Sequence, residues 1–236
     1  MEYDYIEQGD CLELIKAIPD ESIDLVLTDP PYKIVSGGNT TGKMKGGILG
    51  KNNPNAKSGK MFDNNDIKFD QWLPEIFRVL KDGTHCYVMI NARNLLDLWH
   101  AARSAGLQFV NLLIWKKNNK TPNKYYMNQC EFILMLRKGK ARSINDMGMS
   151  NFFEIENVKN KQHPTEKPVE LMQALITQST YEKAIVLDPF LGIGATALAA
   201  VASNRHYIGF EINEQYFDIA CKRLDQAEGE QRVSVI

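Results

Sequence analysis

The tetrapeptide Asp29-Pro30-Pro31-Tyr32 places an acid, two prolines and an aromatic directly after an apolar run, Ile23-Asp24-Leu25-Val26-Leu27-Thr28. The run reads as a strand, so the tetrapeptide sits at a strand's carboxyl edge. The prolines fix their own φ and cannot extend a sheet ladder, which leaves carbonyls there to accept hydrogen bonds from a ligand. An ionised Asp29 accepts N–H groups, and the Tyr32 ring offers a flat stacking surface. Such a lip suits chemistry on a planar, amino-bearing base. On its own the tetrapeptide also reads as an ordinary strand-ending turn with a capping Asp, so a second motif decides the weighing.

That motif is Asp188-Pro189-Phe190-Leu191-Gly192-Ile193-Gly194. It follows a short strand, Ala184–Leu187, and opens an alanine-rich helix at Ala195. Glycines at a strand-to-helix turn let a ligand approach the backbone, and the helix start offers free N–H groups. Glu211 ends the next strand, 17 residues past Gly194, where a ribose diol is held in nucleotide-binding folds. The dinucleotide fingerprint asks for a third glycine, and Ala197 stands there. Asp188 would repel a pyrophosphate but attract the ammonium of an amino-acid tail. S-adenosylmethionine fits this set of groups, and NAD fits it poorly.

These residues need a scaffold that brings them together. Apolar periodicity predicts strands at Ile23–Thr28, Cys86–Ile90, Phe109–Trp115, Phe132–Leu136, Ala184–Leu187 and His206–Phe210. It predicts helices at Phe69–Leu80, Leu95–Ala105, Pro168–Thr177, Ala195–Ala202 and Gln215–Leu224, with a turn at Lys81-Asp82-Gly83 after the first. The alternation specifies a mostly parallel α/β sheet with helices on both faces, with Phe109–Trp115 and Phe132–Leu136 as an antiparallel pair at one edge. Two stretches interrupt it. Lys33–Met61 is rich in Gly, Asn and Lys and starts directly after Tyr32, as a mobile lid would. Ala141–Gln162 is a short polar insert containing Phe152-Phe153.

A chain of 236 residues, 44% hydrophobic, fits one α/β domain. No stretch is long and apolar enough to span a bilayer, and the acidic start lacks a signal-peptide plan. Four scattered cysteines without a Cys-x-x-Cys pair predict neither a disulfide framework nor a metal site. The expectation is a cytoplasmic protein of a bacterial, archaeal or phage-infected cell. The net charge of -1 hides an asymmetry. Lys33 to Lys60 contains six lysines and no acid, and Lys116 to Arg142 contains eight basic residues and one acid, Glu131. A polyanion would meet the protein there; the competing reading is two solvated loops.

Taken together, the Asp29 box, the Asp188 loop and the intervening His163-Pro164-Thr165-Glu166-Lys167-Pro168 resemble the amino-methylating DNA methyltransferases. The box precedes the cofactor loop, which resembles the circularly permuted β-class, with a Rossmann-like methyltransferase sheet as a single domain. The resemblance implies that Asp29, Pro30, Pro31 and Tyr32 are catalytic. It implies cofactor contacts from Asp10, Cys11, Asp29, Thr165, Lys167, Asp188, Pro189, Phe190, Gly192, Gly194, Thr196, Glu211 and Ile212. Within that set Asp10 takes the adenine, although it also reads as a helix cap, and Lys167 takes the methionine carboxylate. Ile193 and Ala195 depart from the small hydroxyl residues common in relatives, and Thr196 compensates. The family also implies duplex DNA as partner, with phosphate contacts from Lys33, Lys43, Lys45, Lys116, Lys117, Lys120 and Lys124. The Ala141–Gln162 insert is short for a target-recognition region, so sequence readout is shared with Lys33–Met61 and Asn118–Gln129. A homodimer and a cognate restriction endonuclease stay open as partners.

The implied reaction is methyl transfer to the exocyclic amine of a flipped-out base. In this family an Asp at the head of the box usually accompanies adenine, which favours adenine-N6 over cytosine-N4. An RNA methyltransferase, a non-catalytic DNA- or cofactor-binding protein and a nicotinamide oxidoreductase are the competing classes.

Overall fold

The computed structural model describes residues 1–32, 67–121, 125–159, 161–163 and 165–234. They fall into two compact units, Met1–Pro30 with Phe69–Ile236, and Pro31–Lys68. Only the ends of the second unit are among the described residues. The expected lid, with Lys33, Lys43 and Lys45, therefore lies outside them, as does Lys124.

The first unit is built on eight strands: β1 (Tyr5–Gln8), β2 (Ile23–Thr28), β3 (Leu80–Ile90), β4 (Gln108–Thr121), β5 (Asn128–Arg137), β6 (Phe152–Glu154), β7 (Ile185–Asp188) and β8 (His206–Glu211). The helices are α1 (Cys11–Leu14), α2 (Phe69–Val79), α3 (Leu95–Ser104), α4 (Val169–Ser179), α5 (Ala195–Ala202) and α6 (Glu214–Ser234). The sheet order is β1-β8-β7-β2-β3-β5-β4-β6. β5 runs antiparallel to both its neighbours, and every other pairing is parallel.

Strand β2 shows why the sheet is covered twice. Leu25 and Leu27 face one side, packed with Tyr87, Met89 and the apolar residues of α4 and α5. Val26 alternates to the other side with Cys86 and Val88, and all are completely buried. A strand buried on both faces reads as a near-continuous apolar run, as Leu25-Val26-Leu27 does here. Helix α2 buries Trp72, Leu73, Ile76 and Val79, one stripe at helical spacing. The expected sheet with helices on both faces is the observed architecture.

Three local expectations need correction. Lys81-Asp82-Gly83 does not separate helix from strand, because β3 begins at Leu80 and runs through it. The turn signal is real but is absorbed as an irregularity: Ile23 pairs with Leu80 and Leu25 with His85, and Gly83 takes φ +80°. The β4–β5 pair is antiparallel as expected, but the edge belongs to β6, which the Ala141–Gln162 insert supplies. Phe153 is buried there, and the Trp115 indole donates to the Ile155 carbonyl at 2.8 Å, so this polar insert is pinned by two aromatics. Strand β1 carries no apolar periodicity and was not expected, whereas α1 is the helix that the capping reading of Asp10 implies. Among the described residues no helix is long and apolar enough to cross a membrane.

Candidate active site

Four neighbouring parallel strands end in acids on one edge of the sheet. In sheet order, β1 leads to Asp10, β8 ends at Glu211, β7 ends at Asp188 and β2 leads to Asp29. Open α/β sheets bind ligands outside the carboxyl ends of their strands.

Asp10 is exposed and caps α1, accepting the Leu12 N–H at 2.9 Å. Cys11 begins that helix, and burial pushes its thiol up to about 12, so it stays neutral. Glu211 accepts the Gly192 N–H at 2.7 Å and the Asn213 N–H at 2.8 Å. Burial raises its carboxyl above the ordinary range against these two bonds. Ile212 is exposed beside it.

Asp188 is buried and organises the loop that follows it. Its Oδ1 accepts Thr28 Oγ1 at 2.6 Å and the Phe190 N–H at 3.1 Å, and its Oδ2 accepts Thr196 Oγ1 at 2.6 Å. Thr196 thus holds the loop acid from the first turn of α5. Burial pushes Asp188 up to about 6, the three hydrogen bonds pull it down, and the charge of Asp29 adds to the rise. A carboxylate has about four lone-pair sites, so one remains for a ligand cation.

The loop's backbone is shaped by two glycines. Gly192 and Gly194 take φ of +59° and +87°, a region that strains other residues. A side chain on Gly192 would meet nothing within 4 Å, so the loop backbone faces open space there, as a ligand cradle requires. Phe190 packs edge-on against the buried Trp72, with ring centroids 5.3 Å apart. Pro189 is buried with it. Leu191 packs so closely on β8 that a Cβ at Gly209 would lie 2.8 Å from both its methyl carbons. Arg223 of α6 donates to the Ile193 carbonyl at 2.8 Å and pairs with the buried Glu166 at 3.2 Å. It thereby ties the glycine loop to the 162–168 segment.

Asp29 sits at the end of β2 with Pro30 buried behind it. Its Oδ2 accepts from the buried Lys167, which also donates to the Thr165 carbonyl at 3.2 Å. Its Oδ1 is buried and has no hydrogen-bond partner among the described residues. Burial raises the Asp29 carboxyl, Lys167 pulls it down, and Glu131 pushes it up. Thr165 is placed by His163, whose Nδ1 lies 3.2 Å from both its N and Oγ1. Pro31 and Tyr32 open the second unit.

The lysines separate into kinds. Lys116 pairs with Glu154 on the surface, Lys117 is half-buried against Glu131 at 2.8 Å, and Lys120 is exposed. The sequence reading missed Thr28, Glu131 and Arg223. Glu131 did carry a signal, as the lone acid in a basic segment. Arg223 carried none, because only the fold shows what α6 faces. The described residues contain no cluster of His, Cys, Asp and Glu able to hold a metal.

A mostly parallel sheet, acids at four strand ends, a glycine turn and a proline-rich lip define an α/β protein of the methyltransferase fold. The chain belongs to the N6/N4 DNA methylase family, whose sequence model matches residues 23–222. It is 34% identical to the YubD protein of Escherichia coli (strain K12) over 92% of this chain and 88% of that one. It is 31% identical to the type II methyltransferase M.HinfI of Haemophilus influenzae over 93% of this chain and 67% of that one. Its fold is similar to the crystal structure of an M1.HpyAVI–SAM complex, with a TM-score of 0.69 and 25% identity over 92% and 98% of the two chains.

Proposed function

We propose that this DNA methylase is adenine-specific and transfers a methyl group from S-adenosylmethionine to N6 of a flipped-out adenine. The observation that carries methyl transfer to an exocyclic amine is Asp29 Oδ1, a buried carboxylate oxygen without a hydrogen-bond partner among the described residues, and the Asp at the head of the box favours adenine as that base. A buried acceptor left unpaired costs free energy unless a ligand donor meets it. The exocyclic amine of a base is such a donor.

Asp29 and the Pro30 carbonyl each accept one N–H of that amine. This draws the nitrogen toward tetrahedral geometry and localises its lone pair. Tyr32 stacks on the ring and fixes its plane. S-adenosylmethionine, when bound, supplies an electrophilic methyl on a sulfonium. Asp188 offers its remaining lone pair to the amino group, Glu211 faces the ribose, and the Gly192–Gly194 backbone lines the cradle. Asp10 and Cys11 would hold the adenine of the cofactor. Thr165 and Lys167 reach the carboxylate end, which requires Lys167 to share its ammonium with Asp29. The rate comes from positioning and electrostatics. Lys116, Lys120 and the exposed Tyr125 and Tyr126 of the β4–β5 connection offer charges and rings to a DNA strand.

Methyl-labelled S-adenosylmethionine, unmethylated genomic DNA and digestion to nucleosides test the proposal. Label is expected in 6-methyladenine. Asp29→Ala is expected to fold and to lose at least about 100-fold in rate. Label in 4-methylcytosine would overturn the base assignment and keep the mechanism. Full activity of a folded Asp29→Ala would overturn the mechanism.

A further inference from the structure

Asp29 is the first of four alternating charges that lead from the end of β2 toward the β4–β5 hairpin. Lys167, just before α4, pairs with Asp29 on one side and with Glu131 of β5 on the other, the latter at 3.6 Å. Glu131 in turn pairs with Lys117 of β4 at 2.8 Å. The side chains are 6% exposed at Lys167, 17% at Lys117, 19% at Asp29 and 22% at Glu131, so none is simply solvated. A buried charge is tolerated when it is paired, and four alternating charges sum to zero. Lys117 reaches Glu131 as the diagonal neighbour across the hairpin, whose register sets Trp115 opposite Glu131.

The arrangement exceeds what an ion pair on Asp29 needs. One lysine would hold Asp29 in place, and here the lysine is shared with a second carboxylate that a further lysine anchors. Resting on the methyl-transfer reading above, we propose that Glu131 is a positioning residue: by sharing Lys167 with Asp29 it limits how firmly Lys167 grips Oδ2, and so keeps Oδ1 basic enough to accept the target amine.

Lys167 and Glu131 act directly on Asp29, whose charge in turn raises Asp188 on the adjacent β7. Lys117, Lys167 and Lys161 face Glu131; burial works to raise its carboxyl, and together they hold it below the ordinary range. His163 is kept down to about 4 by burial and by Lys167 and Lys161, so it is neutral where the enzyme works.

The sign follows from these contacts. Asp29 accepts the amine only when ionised, so rate falls on the acid side as it protonates. The charge of Glu131 pushes Asp29 toward protonation. Removing that charge lets Lys167 hold Asp29 ionised to lower pH while withdrawing more of its electron density. In Glu131→Gln the acid limb of kcat/KM is therefore expected to move down by about one pH unit. The plateau kcat is expected to fall about tenfold with the KM for DNA unchanged. Glu131→Asp, which keeps the charge, restores the limb. A limb that stays in place in Glu131→Gln, with a uniform loss at all pH values, would mean that Glu131 only supports the fold and would overturn the proposal.

A second measurement needs neither a variant nor activity. Carboxyl ¹³C resonances of Asp29 and Glu131 in the wild-type chain are followed against pH without DNA or cofactor. Coupled, two-step curves support the shared lysine. Independent single-step curves overturn it, whether or not the wild-type protein methylates DNA. Absence of methyl transfer would refute the functional reading alone.

Discussion

Thr28→Val tests the electrostatics of the site without touching a ligand contact. Thr28 is completely buried and donates to Asp188 at 2.6 Å across a sequence gap of 160 residues. Asp188 is held up at about 6, against 3.8 for an unburied Asp. A carboxyl raised in the fold costs stability when ionised. The cost is fully present above about 6 and fades as pH falls toward 4. It amounts to roughly 1.4 kcal/mol per unit, or about 3 kcal/mol at pH 8. A hydrogen bond to a charged acceptor is worth about 1.5–3 kcal/mol and to a neutral one about 0.5–1.5 kcal/mol. Losing the Thr28 hydroxyl should thus cost about 2 kcal/mol at pH 8, where Asp188 is ionised, and about 1 kcal/mol at pH 5, where it is mostly protonated. For a chain of this size each kcal/mol moves Tm by roughly 2–4 °C. The expected loss is about 4–8 °C at pH 8 and 2–4 °C at pH 5, read by calorimetry without cofactor. Any gain from the better-packed valine methyl is the same at both pH values and cancels in the difference. Equal losses at the two pH values would refute the assignment of Asp188 as a buried acid that titrates near neutrality.

Two further variants probe the loop. Gly209→Ala should force Leu191 off its seat and cost about 1–3 kcal/mol, seen as a lower Tm with weaker S-adenosylmethionine binding by calorimetry; unchanged binding would show that the Leu191 seat does not set the loop. Arg223→Met unties the Ile193 carbonyl from Glu166 and leaves Glu166 buried beside an apolar chain. Cofactor affinity should drop about tenfold with a stability loss of about 2 kcal/mol, and a loss of stability with affinity intact would confine Arg223 to the fold.

What the sequence revealed follows from which interactions are local. Ile23–Thr28 and Ala195–Ala202 were legible because buried strands and helices must be apolar in pattern, and their bounds fall within a residue of the observed ones or on them. The methylase family was legible because three motifs lie in one order along the chain. Lys81-Asp82-Gly83 misled because a turn signal specifies a local φ and not whether the ladder continues past it. Strand β6 was hidden because three residues are too few for periodicity, and the burial of Phe153 depends on Trp115 being opposite. At the site, the acids and glycines were visible as residue types, but their partners were not. That Lys167 meets Asp29 and Glu131, or that Thr28 meets Asp188, depends on strands brought together by the sheet order.

The same sheet order has a consequence for biosynthesis. Strand β2 takes β7 as one neighbour, and the residues that tie them are 160 positions apart. At roughly 5–20 residues per second, a ribosome needs about 10–30 s to supply β7 after β2 has emerged. Throughout that interval one edge of a largely apolar strand has no partner, which is the condition under which sheets recruit the wrong chain. Chaperone dependence and the yield of active protein on expression should therefore respond to translation speed between β2 and β7 more than to changes elsewhere in the message. The strand that leads to Asp29 shares this wait with β1, whose single partner among the described residues, β8, is made later still.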